Sequence, residues 1–484
     1  MTQAPIIFWF RRDLRLDDNR GLRAALETGA PVLPLFVIDP RFRASGHYSH
    51  NRMALLMATL RSLDGRLREL GARLCVRNGL PHDVLETLVR EHAVRALYFN
   101  ADYTPFARER DRLVESRIGI PVYVCDDLLL VAPNMLRKGD GSPYRVFTPF
   151  EKQWNQVEKT QIAKPPYRAG RFYRVSAQAT FNALQRASES VHPQVPLPPA
   201  SEQVALTQLK TFVAAGIVNY AQTRNSLTID PFGKAQHKGS SCISHFLHLG
   251  LLSPRQAYWL AREKQQIDGN DQAAQSIAAW IRQLAWRDFS FHVMYHFPRV
   301  RKCNFRGEYD NMPWREAEDD LRAWKRGRTG YPIVDAAMRQ LAAIGWMPNR
   351  ARMIVASFLC KDLLIDWREG EAHFMRRLLD GDQAANNGGW QWSAGTGTDA
   401  QPFFRIFNPV LQSKKFDKSG RYIRHWVPEL RRLRDEAIHS PWLMSSPPGG
   451  YPPPIVDHAL ARERAISAFR HARTTGAEDP AGGG

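Results

Sequence analysis

Between Asp380 and Arg405 the chain runs Asp-Gly-Asp-Gln-Ala-Ala-Asn-Asn-Gly-Gly-Trp-Gln-Trp-Ser-Ala-Gly-Thr-Gly-Thr-Asp-Ala-Gln-Pro-Phe-Phe-Arg. The carboxylates of Asp380 and Asp382, the amides of Asn386 and Asn387 and the indoles of Trp390 and Trp392 stand close together in its first half. Asn and Gly disfavour helix interiors and suit turns where backbone approaches another body closely. The stretch therefore reads as a chain-bending wall around a planar cofactor. Arg352, upstream, can pair with Asp380; a buried Arg–Asp pair orients both partners and offers polar groups to a ring edge. Trp390 and Trp392 are two residues apart, roughly 200° on a helix, which sends one indole inward and one outward.

A second group lies upstream. Gly239-Ser240-Ser241-Cys242-Ile243-Ser244 precedes a helical run, and its hydroxyls and N–H groups can cap that helix or hold a phosphate. A third group comprises Arg224, Trp280, Gln283, Trp286, Arg287, Trp346, Asn349, Arg350, Met353, Arg405 and Gln412. Arginines neutralise backbone phosphates, amides read base edges and aromatic faces stack on bases. With 67 Lys and Arg against 48 Asp and Glu, the formal charge is +19. A field of that sign makes nucleic acid the leading partner.

These groups need elements to place them. A chain of 484 residues exceeds one ordinary core, so two or three domains are expected. The first third alternates short apolar runs (Ile6–Phe10, Val32–Ile38, Leu74–Arg77, Leu97–Asn100, Val122–Cys125) with helix-period segments. That rhythm predicts an α/β domain over 1–135 with a doubly wound, parallel five-stranded sheet. No GxGxxG follows the first strand, so the dinucleotide fingerprint is missing. Pro- and Ser-rich sequence between Pro165 and Pro199 predicts an extended connection within a linker at 136–204. Helical periods then fill 205–475, an all-helical domain, and 476–484 reads as a flexible tail. Five scattered cysteines without metal-like pairing point to a reducing compartment and no metal site. No leader pattern and no membrane-length apolar run is seen, which predicts a soluble, cytoplasmic protein, with a monomer as the default.

The run Trp9-Phe10-Arg11-Arg12-Asp13-Leu14-Arg15-Leu16-Asp17-Asp18-Asn19 closes the first strand. By charge alone it reads as a salt-bridged turn. Together with Asn100, Tyr103, Pro105, Ala107, Arg110 and Asp111, with the Gly239–Ser244 turn and with the Asp380–Arg405 stretch, it resembles the photolyase/cryptochrome family. The resemblance runs from Trp9 to about Leu430 and is nearest to class I cyclobutane pyrimidine dimer photolyases.

That resemblance implies FAD, with Tyr220, Ser240, Ser241, Cys242, Ile243, Ser244, Trp280, Arg352, Asp380, Asp382 and Asn386 as its ligands. A second antenna chromophore, a folate or a deazaflavin, is compatible with the N-terminal domain. Trp390, Trp367 and Trp314 would relay electrons to the flavin. Arg224, Gln283, Trp286, Arg287, Asn349, Arg350, Met353, Trp392, Arg405 and Gln412 would bind UV-damaged DNA, with Trp286 and Trp392 walling the lesion cavity. Three departures stand out: Cys242 where many relatives carry Arg, Pro348 where His is usual, and Gln283 where dimer photolyases carry Glu. Asn386, a neutral amide, favours a repair enzyme over a cryptochrome photoreceptor. Gln283 keeps a (6-4) photolyase open, and a basic DNA-binding protein with a relic flavin pocket is a further alternative.

Overall fold

The computed structural model describes residues 3–44, 46–163, 169–174, 177–228, 231, 239–268, 270–400 and 402–476. The chain divides into two compact units: Met1–Pro193 with Leu197–Ala221 and Ser240–His296, and Gln194–Pro196 with Gln222–Gly239 and Phe297–Gly484. Each is described by itself.

Five parallel strands organise the first unit: β1 (Ile6–Phe10), β2 (Val32–Ile38), β3 (Cys75–Asn78), β4 (Leu97–Asn100) and β5 (Val122–Cys125), in the order β3-β2-β1-β4-β5. This is the doubly wound sheet that the sequence rhythm predicts, with β3 beginning one residue later than expected. In chain order up to residue 296 the helices are α1 (Arg20–Glu27), α2 (Arg41–Ala44), α3 (His50–Glu69), α4 (Pro81–His92), α5 (Pro105–Arg117), α6 (Phe147–Gln156), α7 (Ala177–Glu189), α8 (Glu202–Ala215), α9 (Tyr220–Thr223), α10 (Ser244–Leu249), α11 (Pro254–Asp268) and α12 (Asp271–His296). The strand period of two sends Ile6, Phe8 and Phe10 into one core with Leu22 of α1 and Leu60 of α3. Ile7 and Trp9 go into another, with Leu85 of α4 and Val114 of α5. Burial on both faces explains why β1, β2 and β4 are continuous apolar runs rather than alternating ones; β5, also expected to be buried, lies at the sheet edge with Tyr123 and Val124 exposed.

The expected extended connection needs correction. Its middle forms α7, whose Ala183, Leu184 and Ala187 are buried in the first of those cores. Just before it, Phe172 bridges to Val32 beside β2. Proline-rich flanks mask a helix that is stabilised by the surface it covers. Residues 164–168 and 175–176 of this segment, and the tail beyond Gly476, lie outside the described residues.

In the second unit the described residues form no strand. Its helices are α13 (Glu318–Arg326), α14 (Pro332–Ile344), α15 (Asn349–Ser357), α16 (Trp367–Arg377), α17 (Gln383–Ala394), α18 (Pro409–Phe416), α19 (Arg421–Trp426) and α20 (His458–Gly476). The apolar faces of α13–α19 meet in one core that includes Trp324, Leu341, Val355, Phe358, Trp367, Phe374, Trp390 and Tyr422, while α20 buries Ala465, Phe469 and Ala472 in a smaller cluster with Tyr309, Met312 and Leu364. Among the described residues no helix is long and apolar enough to cross a membrane.

Candidate cofactor- and nucleic-acid-binding residues

In the first unit the Ser240–Ser244 turn is held from two sides. Gln208 of α8 donates to the carbonyl oxygens of Ser241 (2.8 Å) and Cys242 (3.2 Å), and Trp280 Nε1 of α12 donates to Ser241 Oγ (3.3 Å). Cys242 sits in the left-handed region (φ 51°) with its side chain buried. A residue there re-aims the neighbouring backbone amides, a conformation that can present N–H groups to an anion. Phe212 of α8 meets Tyr220 and Trp280, with centroids 6.3 and 5.8 Å away. The turn, Tyr220 and Trp280 are thus one assembly. Gln208 and Phe212, which complete it, carry no local motif that would have drawn attention to them.

Helix α12 also carries Gln283, Trp286 and Arg287. Gln283 Nε2 donates to the Ala279 carbonyl at 3.0 Å. Trp286 lies face to face on Phe147 of α6, with centroids 3.7 Å apart and planes 8° from parallel. Arg287 donates to the Leu128 carbonyl at 2.7 Å and spans Phe291 at 5.3 Å. Its guanidinium is therefore engaged in holding the 128–131 segment, not presented as an open phosphate contact.

The neighbouring face of α12 is a buried polar seat. Asp288 Oδ2 accepts from the Leu130 and Val131 amides (both 3.0 Å) and from Trp154 Nε1 (2.9 Å), and burial raises its pKa to about 6. One turn on, His292 Nε2 accepts from the Tyr144 amide at 3.1 Å; burial, reinforced by His296, holds the imidazole neutral with a pKa of about 3. The unfolded imidazole takes its proton near pH ~6.5. The unfolded chain thus binds more protons across the window from 6.5 down to about 3, and His292 contributes stability at neutral pH that is lost as pH falls. We expect the melting-temperature advantage of the parent over His292→Gln to shrink by a few degrees between pH ~7.5 and ~5, on the order of 2 kcal/mol. Thermal melts of both proteins across that range check it, and a pH-independent gap would contradict it.

The N-terminal run behaves as its charge pattern indicates. Arg11 pairs with Asp111 (2.6 Å), and Arg15 and Arg255 share Asp127, with Asp18 also bound to Arg255 (3.1 Å). Gly250, at φ 70°, closes α10 against this run, where a Cβ would lie 2.0 Å from the Arg12 carbonyl oxygen. These charges are consumed in ion pairs, while the Leu14 amide and Arg15 donate to the carbonyls of Leu249 and Gly250 at the end of α10.

The second unit contains the remaining candidates. Arg352 of α15 donates to both Asp380 oxygens (2.8 and 3.1 Å) and to the Met347 carbonyl (2.9 Å), forming the expected ion pair. Beyond it the expectation of a bend fails: Asn386-Asn387-Gly388-Gly389 lies inside α17. The physical reason is tertiary. Asp382 caps the helix by accepting from the Ala385 amide (3.0 Å). Asn386 donates to the Glu371 carbonyl (3.1 Å), Asn387 to the Val300 carbonyl (3.0 Å) and Glu371 Oε1 (3.1 Å), and Gln391 to the Val300 carbonyl (2.9 Å). Partners for these amides offset the low helix propensity of Asn and Gly. Glu371, whose pKa burial raises to about 7, was not among the sequence candidates. A Glu on the apolar face of α16, in step with Trp367, Gly370 and Phe374, was the signal available.

Trp390 is 2% exposed and Trp392 half-buried, as their spacing predicts. Trp367, fully buried, donates from Nε1 to Asn304 at 2.8 Å. Trp314 packs against the same core at its rim and lies 6.2 Å from Phe469. The basic candidates also converge: Arg350 binds Asn225 (3.0 Å), lies over Phe416 (4.4 Å), and has its pKa lowered by burial and by the charges of Arg224 and Arg405. Asn349 donates to Met353 Sδ at 3.7 Å. Trp346 is buried in the turn before α15, Arg405 is exposed, and Gln412 Oε1 is buried without a hydrogen-bond partner among the described residues.

Two family models match, DNA photolyase over residues 6–167 and the FAD binding domain of DNA photolyase over residues 280–471. A deoxyribodipyrimidine photo-lyase from Synechococcus is 39% identical, covering 99% of this chain and 99% of that protein. The crystal structure of a bacterial class III photolyase from Agrobacterium tumefaciens superposes with a TM-score of 0.86 at 34% identity, covering 98% of each chain. An archaeal photolyase from Sulfolobus tokodaii, solved with two FAD molecules that imply a novel light-harvesting cofactor, gives 0.83 at 33% identity over 96% of this chain and 100% of that one.

Proposed function

The chain belongs to the DNA photolyase family, and on that premise we propose that it is a deoxyribodipyrimidine photo-lyase, an FAD-dependent enzyme that uses blue light to split cyclobutane pyrimidine dimers. The observation that carries the reading is α17. One helix brings a capping carboxylate, an amide pair of which Asn387 is buried, a buried indole and a half-buried indole into register beside the Arg352–Asp380 ion pair.

The residues present fit FAD. A left-handed Cys242 in a serine-rich turn suits a pyrophosphate, and an Arg–Asp pair followed by Asp382 and Asn386 suits the hydrogen-bonding edge of a flavin ring. We assign Tyr220, the Ser240–Ser244 turn and Trp280 to the nucleotide part of FAD, and Arg352, Asp380, Asp382 and Asn386 to its ring. The chemistry the cofactor supplies, when bound and reduced, is light-driven donation of one electron to the dimer and its recovery once the cyclobutane ring has opened. Photolyases are among the enzymes that act on bases taken out of the stack. Trp286 and Trp392 offer flat apolar walls for such bases. Asn349, Met353 and Gln412 contact the lesion, while Arg224, Arg350 and Arg405 neutralise flanking phosphates. Trp314, Trp367 and Trp390 form the electron relay. The protein acts as a cytoplasmic monomer, and a second light-harvesting chromophore is compatible with the α/β domain.

The test is to illuminate the protein carrying reduced FAD with dimer-containing oligothymidine and follow the return of thymine absorbance. Repair is expected. No return of absorbance with FAD stoichiometrically bound overturns the proposal. Gln283 favours one second reading, a (6-4) photolyase, and an oligonucleotide carrying that photoproduct is the second arm of the same experiment. Gln283 can donate a hydrogen bond to a dimer carbonyl but has no acidic proton to stabilise charge developing there. We therefore expect Gln283→Glu to raise the dimer repair yield severalfold. An unchanged or lower yield would count against that role.

A further inference from the structure

We propose that Phe147 is a positioning residue for lesion binding: a fixed backing ring that holds the Trp286 indole flat so that its other face meets an extruded pyrimidine. This rests on the reading of Trp286 as a wall of the lesion cavity. Nothing in the sequence singles out Phe147. The pair is asymmetric: Phe147 is 1% exposed, whereas Trp286 is only partly buried. At 3.7 Å and 8° the two rings are nearly eclipsed, an arrangement aromatic pairs avoid in favour of offset or edge-on contacts. The surrounding contacts follow the usual preference. Phe289 meets Phe147 at 70° and Trp286 at 78°. Two parallel rings that close leave no room for a third between them, so stacking on Trp286 is confined to its other face.

The backing is itself anchored. Phe147 begins α6, and the segment leading to it is fastened to α12 at Leu130, Val131 and Tyr144 through Asp288 and His292. Trp154, at the far end of α6, is tied to the same Asp288. Arg282 lies over the Phe147 ring at 5.3 Å and is paired with Glu151 of α6 at 3.0 Å. Both χ angles of the indole are therefore restricted before any DNA arrives, which removes an ordering cost from binding. A base stacked on a freely rotating indole would have to immobilise it first.

The experiment measures affinity in the dark for dimer-containing and undamaged oligothymidine, using full-length protein with its FAD. Phe147→Leu should weaken dimer binding about fivefold, the scale of one aromatic contact, with undamaged affinity and FAD content unchanged. Phe147→Tyr, which keeps the ring, should bind as the parent does. In a Trp286→Ala background Phe147→Leu should have no further effect, because there is no indole left to position. Parent-like dimer affinity in Phe147→Leu, an equal loss on both oligonucleotides, or additivity with Trp286→Ala overturns the inference while leaving the role of Trp286 intact. Undiminished dimer affinity in Trp286→Ala removes that role and the inference with it. If the leucine variant fails to retain FAD, Phe147→Met and Phe147→Tyr carry the comparison: loss with Met and retention with Tyr support the proposal, and equal behaviour overturns it.

Discussion

Gly370→Ala is expected to destabilise the protein by about 2–3 kcal/mol, lower its FAD occupancy and slow photoreduction of the flavin. Gly370 is on the face of α16 that packs against α17. A Cβ there would lie 2.1, 2.4 and 2.6 Å from three ring carbons of Trp390. The indole has nowhere to go, because its other neighbours are Phe374 (5.0 Å, 78°) and Trp324 (6.0 Å, 73°) in the fully buried core. Alanine improves intrinsic helix propensity by up to about 1 kcal/mol, too little to offset an overpacked ring. Trp367 precedes Gly370 by one helical turn, so the strain falls between two members of the proposed relay. Gly65, within α3, is the matched control: a Cβ there meets nothing within 4 Å, and Gly65→Ala should stabilise slightly. Thermal melts, the flavin-to-protein absorbance ratio and illumination with an external reductant check the three effects. A stable, flavin-replete Gly370→Ala protein would mean that the α16–α17 contact is looser than its geometry.

Trp314→Phe is expected to slow photoreduction of oxidised FAD at least about tenfold, the equivalent of about 1.4 kcal/mol on a barrier, while repair by pre-reduced protein stays nearly unchanged. Trp367 and Trp390 belong to one buried apolar cluster, and Trp314 lies at its rim, partly exposed. A residue so placed is reachable by a reductant in solution, whereas the two inner indoles are not. Phenylalanine preserves the packing against Phe469 and Met312, the neighbours of Trp314 in a smaller satellite cluster. The indole Nε1 finds no acceptor among the described residues, so replacing it strands no partner. What changes is redox character, since a phenyl ring is much harder to oxidise than an indole. Transient absorption of the flavin after a blue flash, with and without reductant, is the measurement. Equal photoreduction in variant and parent would remove Trp314 from the relay. A parallel loss of dimer repair in pre-reduced protein would instead assign it a structural role.

The two predictions differ in how much of their basis was readable without a structure. Trp314 and its relay partners come from the resemblance to the photolyase/cryptochrome family, and the variant could be designed from that resemblance alone. Gly370 could not. Its glycine is intelligible only as the space occupied by Trp390, and a helix interior gives no local reason for it. The stretch from Asp380 to Arg405 shows the same division: composition marked it as a binding wall, yet composition also argued for a turn, and the turn is a helix.

The sequence by itself determined the five parallel strands, because short apolar runs alternating with helix-period segments are a local property; it did not determine that β5 lies exposed at the sheet edge. It determined the helical character of the second unit and the different environments of Trp390 and Trp392, because these follow from residue type and spacing; the Arg352–Asp380 pair and the arginine group came from the family resemblance. Tertiary structure decided what depends on partners far apart in the chain. Val300 and Glu371 stabilise α17 through its Asn and Gln side chains, a sheet core receives α7 from a proline-flanked segment, Gln208 and Trp280 hold the serine turn, and Phe147 lies under Trp286. Periodicity and caps act over a few residues and leave a trace in local order. Shape complementarity and the satisfaction of buried polar groups act between surfaces that meet only once the chain has folded, and they leave none.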